Sequence, residues 1–290
     1  MTIVINGKSV AEEILNLIKH KVQQKYDVLK TTPKIATILI GDSKASKIYV
    51  EAKIKTAKLV GIDTMLIENP PQISNFSLRN LINDLNDDGH ITGILVQLPL
   101  GRKLDENIVF NHIKPSKDVD GFGIVNTGMI NHWRGDISPC TPQGILYLLK
   151  KILGSLSGKK AVVIGRSIIV GRPMASLLIR ENCTVTVAHS KTINIIKECK
   201  SADILIAAVG VPCLVKKEWV KKGAFVVDVG INRVEGRLVG DVDFESVKNV
   251  ASYITPVPGG IGPLTVANLL LNTLRLFYIQ KSIPRDEIFF

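Results

Sequence analysis

The chain has 290 residues, 46% apolar and 22% charged, enough to bury a large core in about two domains and too apolar for intrinsic disorder. Four scattered cysteines without a CxxC and five scattered histidines without an HExxH exclude a disulfide scaffold or thioredoxin motif and argue against a metal site. Lysine and arginine exceed aspartate and glutamate by 37 to 26, a net charge of +11, yet the lysines are spread over helix faces and aromatics make up only 5%. A basic protein that handles small anions is therefore expected, not one that binds nucleic acid. No run approaches the ~18 apolar residues of a membrane span, and the amino terminus has neither a signal nor a transit pattern. The expectation is a cytoplasmic protein with no membrane partner.

Short Val- and Ile-rich runs alternate with segments of helical period: Ile35–Ile40, Thr64–Ile67, Gly93–Leu98, Ala161–Gly165, Thr184–Ala188, Ile204–Val209, Phe225–Val229 and Tyr253–Val257. Strands apolar along their whole length and separated by helices predict parallel sheets covered on both faces, an α/β class. After the first run, Gly41-Asp42-Ser43 predicts a cap on a helix from Lys44 to Leu59, closed by Gly61, with Ala45, Ile48, Ala52 and Leu59 as its core stripe. Tyr49 and Lys53 stand four apart on one face of that helix. By spacing alone Lys53 reads as one more solvated lysine among Lys44, Lys47, Lys55 and Lys58.

Gln97 ends a buried run, where ligand crevices lie and a buried amide needs a partner. Asp120 falls in a segment from Lys114 to Pro142 that is rich in Gly, Pro, Asp and Asn and lacks a clear period. Either residue reads equally well as structural. So long an irregular stretch predicts a functional loop or a domain junction. Thr141 as N-cap and Pro142 at the first helical position then start an apolar helix.

A strand, a turn at Gly165-Arg166-Ser167 and a helix starting near Val170 offer a seat for a pyrophosphate, although Ser167 stands where a second glycine is usual. The next strand ends in His189-Ser190-Lys191-Thr192, with no carboxylate for a ribose 2′-hydroxyl and with Arg166 near, which favours NADP over NAD. The Pro- and Gly-rich loop Thr255–Pro263, containing Pro258 and Gly259, suits close approach of a flat ligand to main chain. A last helix, Leu264 to about Gln280, is expected to pack back on the first domain. The domains expected are 1–140 (plus 264–290), an α/β catalytic domain, and 141–263, a Rossmann-like parallel-sheet domain for NADP.

The ordered motifs Tyr49-Val50-x-x-Lys53-x-Lys55, Val96-Gln97-Leu98-Pro99-Leu100, Lys117-Asp118-Val119-Asp120-Gly121, Pro139-Cys140-Thr141-Pro142, Gly165-Arg166-Ser167-x-x-Val170-Gly171-x-Pro173, His189-Ser190-x-Thr192, Asp228-Val229-Gly230-Ile231-Asn232 and Gly240-Asp241-Val242 run through nearly the whole chain. With the loop from Thr255 to Thr265, they make it resemble the bifunctional methylenetetrahydrofolate dehydrogenase/methenyltetrahydrofolate cyclohydrolase family. The resemblance implies oxidation of 5,10-methylenetetrahydrofolate by NADP⁺ and hydrolysis of the 5,10-methenyl product to 10-formyltetrahydrofolate. It implies Lys53 as the acid/base, Gln97 as the residue tuning it, Tyr49 and Asp120 as holding the folate, and Pro258 and Gly259 as substrate contacts. NADP contacts would fall on Gly165, Arg166, Ser167, Ser190 and Ile231, and the molecule would be a homodimer without a metal. The chain departs from the family in having Gly101 where proline is more usual, Ile261 for valine, Leu264 for methionine, and Asn268 for an apolar residue. Of these, only Gly101 is expected to loosen the loop beside Gln97.

Overall fold

The computed structural model describes residues 2–101 and 104–284, so the end of the expected 264–290 segment lies outside the described residues. Its first part runs β1 (Ile3–Val4), α1 (Gly7–Leu29), β2 (Lys34–Ile40), α2 (Lys44–Leu59), β3 (Asp63–Asn69), α3 (Asn75–Asp87), β4 (Gly93–Val96), α4 (Asn107–His112), α5 (Ile124–Asn131) and α6 (Cys140–Leu153). There follow β5 (Lys160–Ile164), α7 (Gly171–Arg180), β6 (Thr184–Ala188), α8 (Ile195–Lys200), β7 (Ile204–Ala207), β8 (Phe225–Asp228), β9 (Asn232–Val234), β10 (Arg237–Val239), α9 (Phe244–Val247), β11 (Tyr253–Ile254) and α10 (Ile261–Gln280). The chain forms two compact units, Met1–Glu12 with Pro139–Asn268, and Glu13–Ser138 with Leu269–Phe290.

In the unit of Glu13–Ser138, β2 lies between β3 and β4 in a three-stranded parallel sheet, with Ile38 opposite Ile67 and Val96. The chain leaves β2 for β3 on one side and returns to β4 on the other. Loops at the carboxyl ends of β2 and β4 therefore part, which opens a crevice there. A further parallel bridge, Ile94 to Asp118, carries the ladder past β4. Ile38, Leu78, Ile82, Ile94 and Phe110 belong to the core beneath. The segment of α10 from Leu269 to Tyr278 is buried on all sides, as a mostly apolar helix must be. Each fully buried Leu or Phe there contributes about 1.5–3 kcal/mol. Gln280 closes it by donating through Nε2 to the Thr92 carbonyl (2.8 Å) and the Ser116 carbonyl (2.7 Å).

In the unit of Pro139–Asn268, a six-stranded sheet has the order β1-β11-β8-β7-β5-β6, parallel throughout. Because β1 pairs with β11, Ile3 opposite Tyr253, the amino-terminal strand lies in this unit and not with the residues that follow it. β5 has β6 on one side and β7 on the other, a second change of direction. Val162, Ile164, Leu205 and Val226 belong to the core on one face of the sheet. The β9–β10 hairpin turns on Glu235 and Gly236, both at positive φ, as a two-residue type I′ turn requires.

Four expectations need correction. The stripe of α2 is not Ala45, Ile48, Ala52 and Leu59: Ile48 and Leu59 are 62% and 65% exposed, and Val50, Ala57 and Val60 are the buried residues. The side chain of Ala45 lies outside the described residues. Both stripes have helical spacing, and packing against the rest of the unit selects the second. β3 and β6 are not covered on both faces, since each ends its sheet, β3 being largely exposed and β6 exposed at Thr184 and Val187. The segment Lys114–Pro142 holds α5, too short and too exposed to show a period. Finally, α6 starts at Cys140 with Pro139 as its N-cap, leaving Pro142 still in the first turn, where its missing N–H costs nothing.

Candidate active site

Ser43 caps α2 by accepting from the Ser46 N–H (3.4 Å), and the helix aims Lys53 toward the carboxyl end of β4. There the Lys53 Nζ donates to Gln97 Oε1 at 3.0 Å. Gln97 is itself held twice: its N–H donates to the Ile38 carbonyl (2.9 Å), and its Nε2 to the Leu98 carbonyl (2.7 Å). With Nε2 committed to Leu98, the amide oxygen has to face the ammonium. Lys53 is half-buried, and Tyr49, one turn earlier on α2, is 41% exposed. The loop then passes through Gly101 at φ +92°, a conformation closed to proline.

Asp120 sits two residues beyond the Ile94–Asp118 bridge, in the register that continues past β4. Asp118 is buried and accepts from the N–H groups of Gly121 (2.9 Å) and Gly123 (2.8 Å) and from Asn126 Nδ2 (3.0 Å). Burial raises the Asp120 carboxyl to about 6; the Lys53 ammonium pulls it back, and the Asp118 carboxylate pushes it further up. Lys53, Gln97 and Asp120 thus share one crevice, with a cation, an amide and a carboxyl that titrates near neutrality. Lys117 of the same motif serves the fold: its buried ammonium donates to the Leu85 (2.8 Å) and Asp88 (2.6 Å) carbonyls at the end of α3.

The crevice of the other unit is shaped by glycine. A Cβ on Gly165, which has φ +118°, would lie 2.1 Å from the Ala208 carbonyl oxygen, and one on Gly171 would lie 2.2 Å from the Gly165 oxygen. Backbone from the ends of β5 and β7 therefore meets across the sheet's change of direction, at the start of α7, where a pyrophosphate is held in such folds. Ser167 Oγ accepts from the N–H groups of Val170 (3.2 Å) and Gly171 (3.3 Å). With both lone pairs used, its hydroxyl is left to donate. Arg172 Nε donates to the Arg166 carbonyl (3.1 Å), which fixes the turn and leaves the Arg166 guanidinium at the surface. After β6, the His189 N–H donates to Thr192 Oγ1 (2.9 Å) and the Lys191 N–H to His189 Nδ1 (3.2 Å), presenting Ser190 to solvent. A cradle of backbone, a free hydroxyl donor, a surface guanidinium and no carboxylate between 189 and 192 fit NADP.

Two buried aspartates were quoted in motifs but given no role by sequence reasoning. Asp228 accepts from the N–H groups of Gly230 (3.0 Å), Asp241 (2.8 Å) and Val242 (3.0 Å), and burial pushes its carboxyl up to about 6 against those donors. Asp241 accepts from Val209 N–H (2.7 Å), Gly210 N–H (3.0 Å) and Asn232 Nδ2 (2.9 Å). The pair ties the loop after β7 to the loop that carries Ile231, itself 52% exposed. A Cβ at Gly240 would fall 1.7 Å from Asp228 Oδ2 and one at Gly230 2.3 Å from Asp241 Oδ1, so a glycine within two residues of each aspartate is the available signal. Pro258 and Gly259 follow β11, and the Gly7 N–H donates to the Gly259 carbonyl at 3.0 Å. Among the described residues no His, Cys, Asp and Glu group is arranged to hold a metal, and no helix is long and apolar enough to cross a membrane.

Two α/β units, one with a glycine-built dinucleotide crevice and one with a lysine, an amide and a carboxyl at a strand-end crevice, define a dinucleotide-dependent enzyme with acid–base capacity. Residues 5–120 match the model of the tetrahydrofolate dehydrogenase/cyclohydrolase catalytic domain, and residues 139–281 that family's NAD(P)-binding domain. The chain is 48% identical over 283 residues to the bifunctional protein FolD of Rickettsia bellii, covering 97% of this chain and 100% of the relative. It is similar to the crystal structure of bifunctional FolD from Campylobacter jejuni (TM-score 0.93, 43% identity, 97% of this chain and 99% of that one). The Trypanosoma brucei dehydrogenase-cyclohydrolase, solved with NADP cofactor and inhibitor, matches with a TM-score of 0.92 and 38% identity over 97% of this chain and 98% of that one. The chain belongs to the tetrahydrofolate dehydrogenase/cyclohydrolase family.

Proposed function

We propose that this chain oxidises 5,10-methylenetetrahydrofolate with NADP⁺ and then hydrolyses the 5,10-methenyl product to 10-formyltetrahydrofolate, with Lys53 as the acid/base of the hydrolysis. The observation that carries the reading is the 3.0 Å bond from Lys53 Nζ to the oriented amide oxygen of Gln97. NADP⁺ supplies the hydride acceptor when bound, held by the Gly165 turn, the Ser167 hydroxyl, Arg166, Ser190 and the Ile231 loop. Asp120 accepts N–H groups of the pterin when ionised, and Tyr49 stacks against the folate.

The methenyl product is a cation, and a cation beside Lys53 pushes the ammonium toward its neutral form. Neutral Nζ takes a proton from water as the water oxygen bonds to the bridge carbon. The carbon–N5 bond then breaks, N5 taking a proton and the carbinol oxygen losing its own as the formyl carbonyl forms. One proton is released overall. Gln97 holds Lys53 in place through this cycle without adding charge. The unit Glu13–Ser138 with the end of α10 is then the folate-binding part, and the unit Pro139–Asn268 the NADP-binding part.

The homodimer is supported by the family resemblance and by β6, an outer strand whose edge is open to pairing. A cytoplasmic location is supported by four cysteines that form no disulfide. The test is a two-wavelength assay that follows NADPH and the methenyl intermediate separately. NADPH formation without methenyl build-up is expected; methenyl accumulating in the wild-type protein would remove the hydrolysis, and no reduction would remove the whole assignment.

A further inference from the structure

We propose that Asn272 on α10 is a positioning residue for Asp120, setting the peptide through which Asp120 enters the folate site; this rests on the reading of Asp120 as a pterin-holding group. Asn272 is fully buried in a helix segment that is otherwise mostly apolar, where an amide is costly unless its hydrogen bonds are made. Its Nδ2 donates to two carbonyls from distant parts of the chain, Val119 and Ser138, each at 2.9 Å. Its Oδ1 accepts from Arg275 Nη1 at 3.2 Å, one turn further along. Arg275 Nη1 also reaches the Asp136 carbonyl at 3.5 Å. The guanidinium can only donate, so it selects the amide orientation that turns Nδ2 toward Val119.

The Val119 carbonyl belongs to the peptide whose nitrogen is that of Asp120. Rotation of this one plane re-aims the Asp120 side chain. On its amino-terminal side the segment is held by the Ile94–Asp118 bridge, and Val119 packs so closely on Gly93 that a Cβ there would lie 2.1 Å from Val119 Cγ1. On its carboxyl-terminal side, the N–H groups of Gly121 and Gly123 are fixed by Asp118. Asn272 clamps the peptide between these anchors. Only a side chain with two amide hydrogens can serve both carbonyls from this place. Thr273, the next residue and equally buried, bonds among the described residues within its own helix, to the Leu269 carbonyl at 2.9 Å. It is the natural control for loss of a buried polar contact without any link to Asp120.

The experiment uses the full-length chain with four single variants, Asn272→Ser, Asn272→Leu, Thr273→Val and Asp120→Asn, and the double variant Asp120→Asn/Asn272→Ser. KM for 5,10-methylenetetrahydrofolate, KM for NADP⁺ and the melting temperature are measured for each. Losing a bond that holds a buried peptide is expected to raise the folate KM about ten-fold in Asn272→Ser and further in Asn272→Leu, with the NADP⁺ KM unchanged. Thr273→Val is expected to lower the melting temperature and leave the folate KM alone. On the Asp120→Asn background, Asn272→Ser should add almost nothing, as coupled residues do. Where Asn272→Leu fails to fold, the Ser variant and the double variant decide. If Asn272→Ser behaves like Thr273→Val, or multiplies fully with Asp120→Asn, the positioning role is overturned. If Asp120→Asn itself leaves the folate KM unchanged, the pterin-holding reading falls first.

Discussion

The ammonium of Lys53 and the side-chain oxygen of Gln97 meet at 3.0 Å across the carboxyl ends of neighbouring strands, one residue from the helix after β2 and the other from the end of β4. The Leu98 carbonyl decides which end of the Gln97 amide Lys53 meets. An acid/base lysine needs such a partner: one that holds it in place and leaves its proton free to move.

Lys53→Ala should therefore abolish most of the hydrolysis, by about 10²–10⁴-fold for a lost general acid–base group. Gln97→Glu is the sharper variant. A carboxylate in place of the amide would pair with the ammonium and hold it protonated, so the hydrolysis rate should fall and its acid limb, the rise as Lys53 loses its proton, should move to higher pH. Stopped-flow decay of the methenyl absorbance against pH reads both effects. An unchanged profile in Gln97→Glu would mean that the 3.0 Å bond does not govern the lysine.

The proposed pterin-holding role of Asp120, whose carboxyl burial raises to about 6, predicts a pH-dependent folate affinity. In that role the ionised form would accept the pterin N–H groups, so folate affinity should drop as pH falls through about 6, and Asp120→Asn should flatten that dependence. Stability runs the other way. A carboxyl whose folded value lies above its unfolded value contributes stability below about 4, lost as pH rises to about 6. Asp120→Asn should then stabilise the ligand-free protein at pH 7, by roughly 1–3 kcal/mol, and much less at pH 4. Urea unfolding at the two pH values measures the difference.

Gly165→Ala tests the dinucleotide crevice. The new methyl group would sit at 2.1 Å from the Ala208 oxygen, at a positive φ that alanine resists. Loss of NADP⁺ binding is expected, together with a lowered melting temperature that NADP⁺ no longer raises. Retained protection by NADP⁺ would place the cofactor elsewhere. Asp241→Ala should raise the NADP⁺ KM with less effect on folate, since it removes the carboxylate that holds the Val209 and Gly210 N–H groups of the loop after β7.

Cofactor choice is expected to rest on Arg166 and Ser190. Ser190→Asp places a carboxylate where the 2′-phosphate would lie, at the end of β6, and should shift preference toward NAD⁺. Arg166→Ala should raise the NADP⁺ KM about ten-fold or more while leaving the NAD⁺ KM nearly unchanged. Paired KM measurements with the two cofactors decide it; equal losses for both would show that these residues do not read the 2′-phosphate.

Sequence alone determined whatever depends on near neighbours. The bounds of α2, the α/β alternation, the turn at Gly165 and the absence of a carboxylate after β6 follow from caps, periods and local composition. The family motifs located Lys53, Gln97 and Asp120, although spacing left Lys53 as one lysine among many. Only the tertiary structure decided which strands are edges, which face of α2 is buried, and that the amino-terminal strand joins β11. It alone found the clamp from Asn272 to Val119, 153 positions apart, and the Asp228–Asp241 tie. The reason is physical: periodicity states that a residue has a buried side, whereas the partner of a buried amide or carboxylate is chosen by backbone groups that only folding brings within about 3 Å.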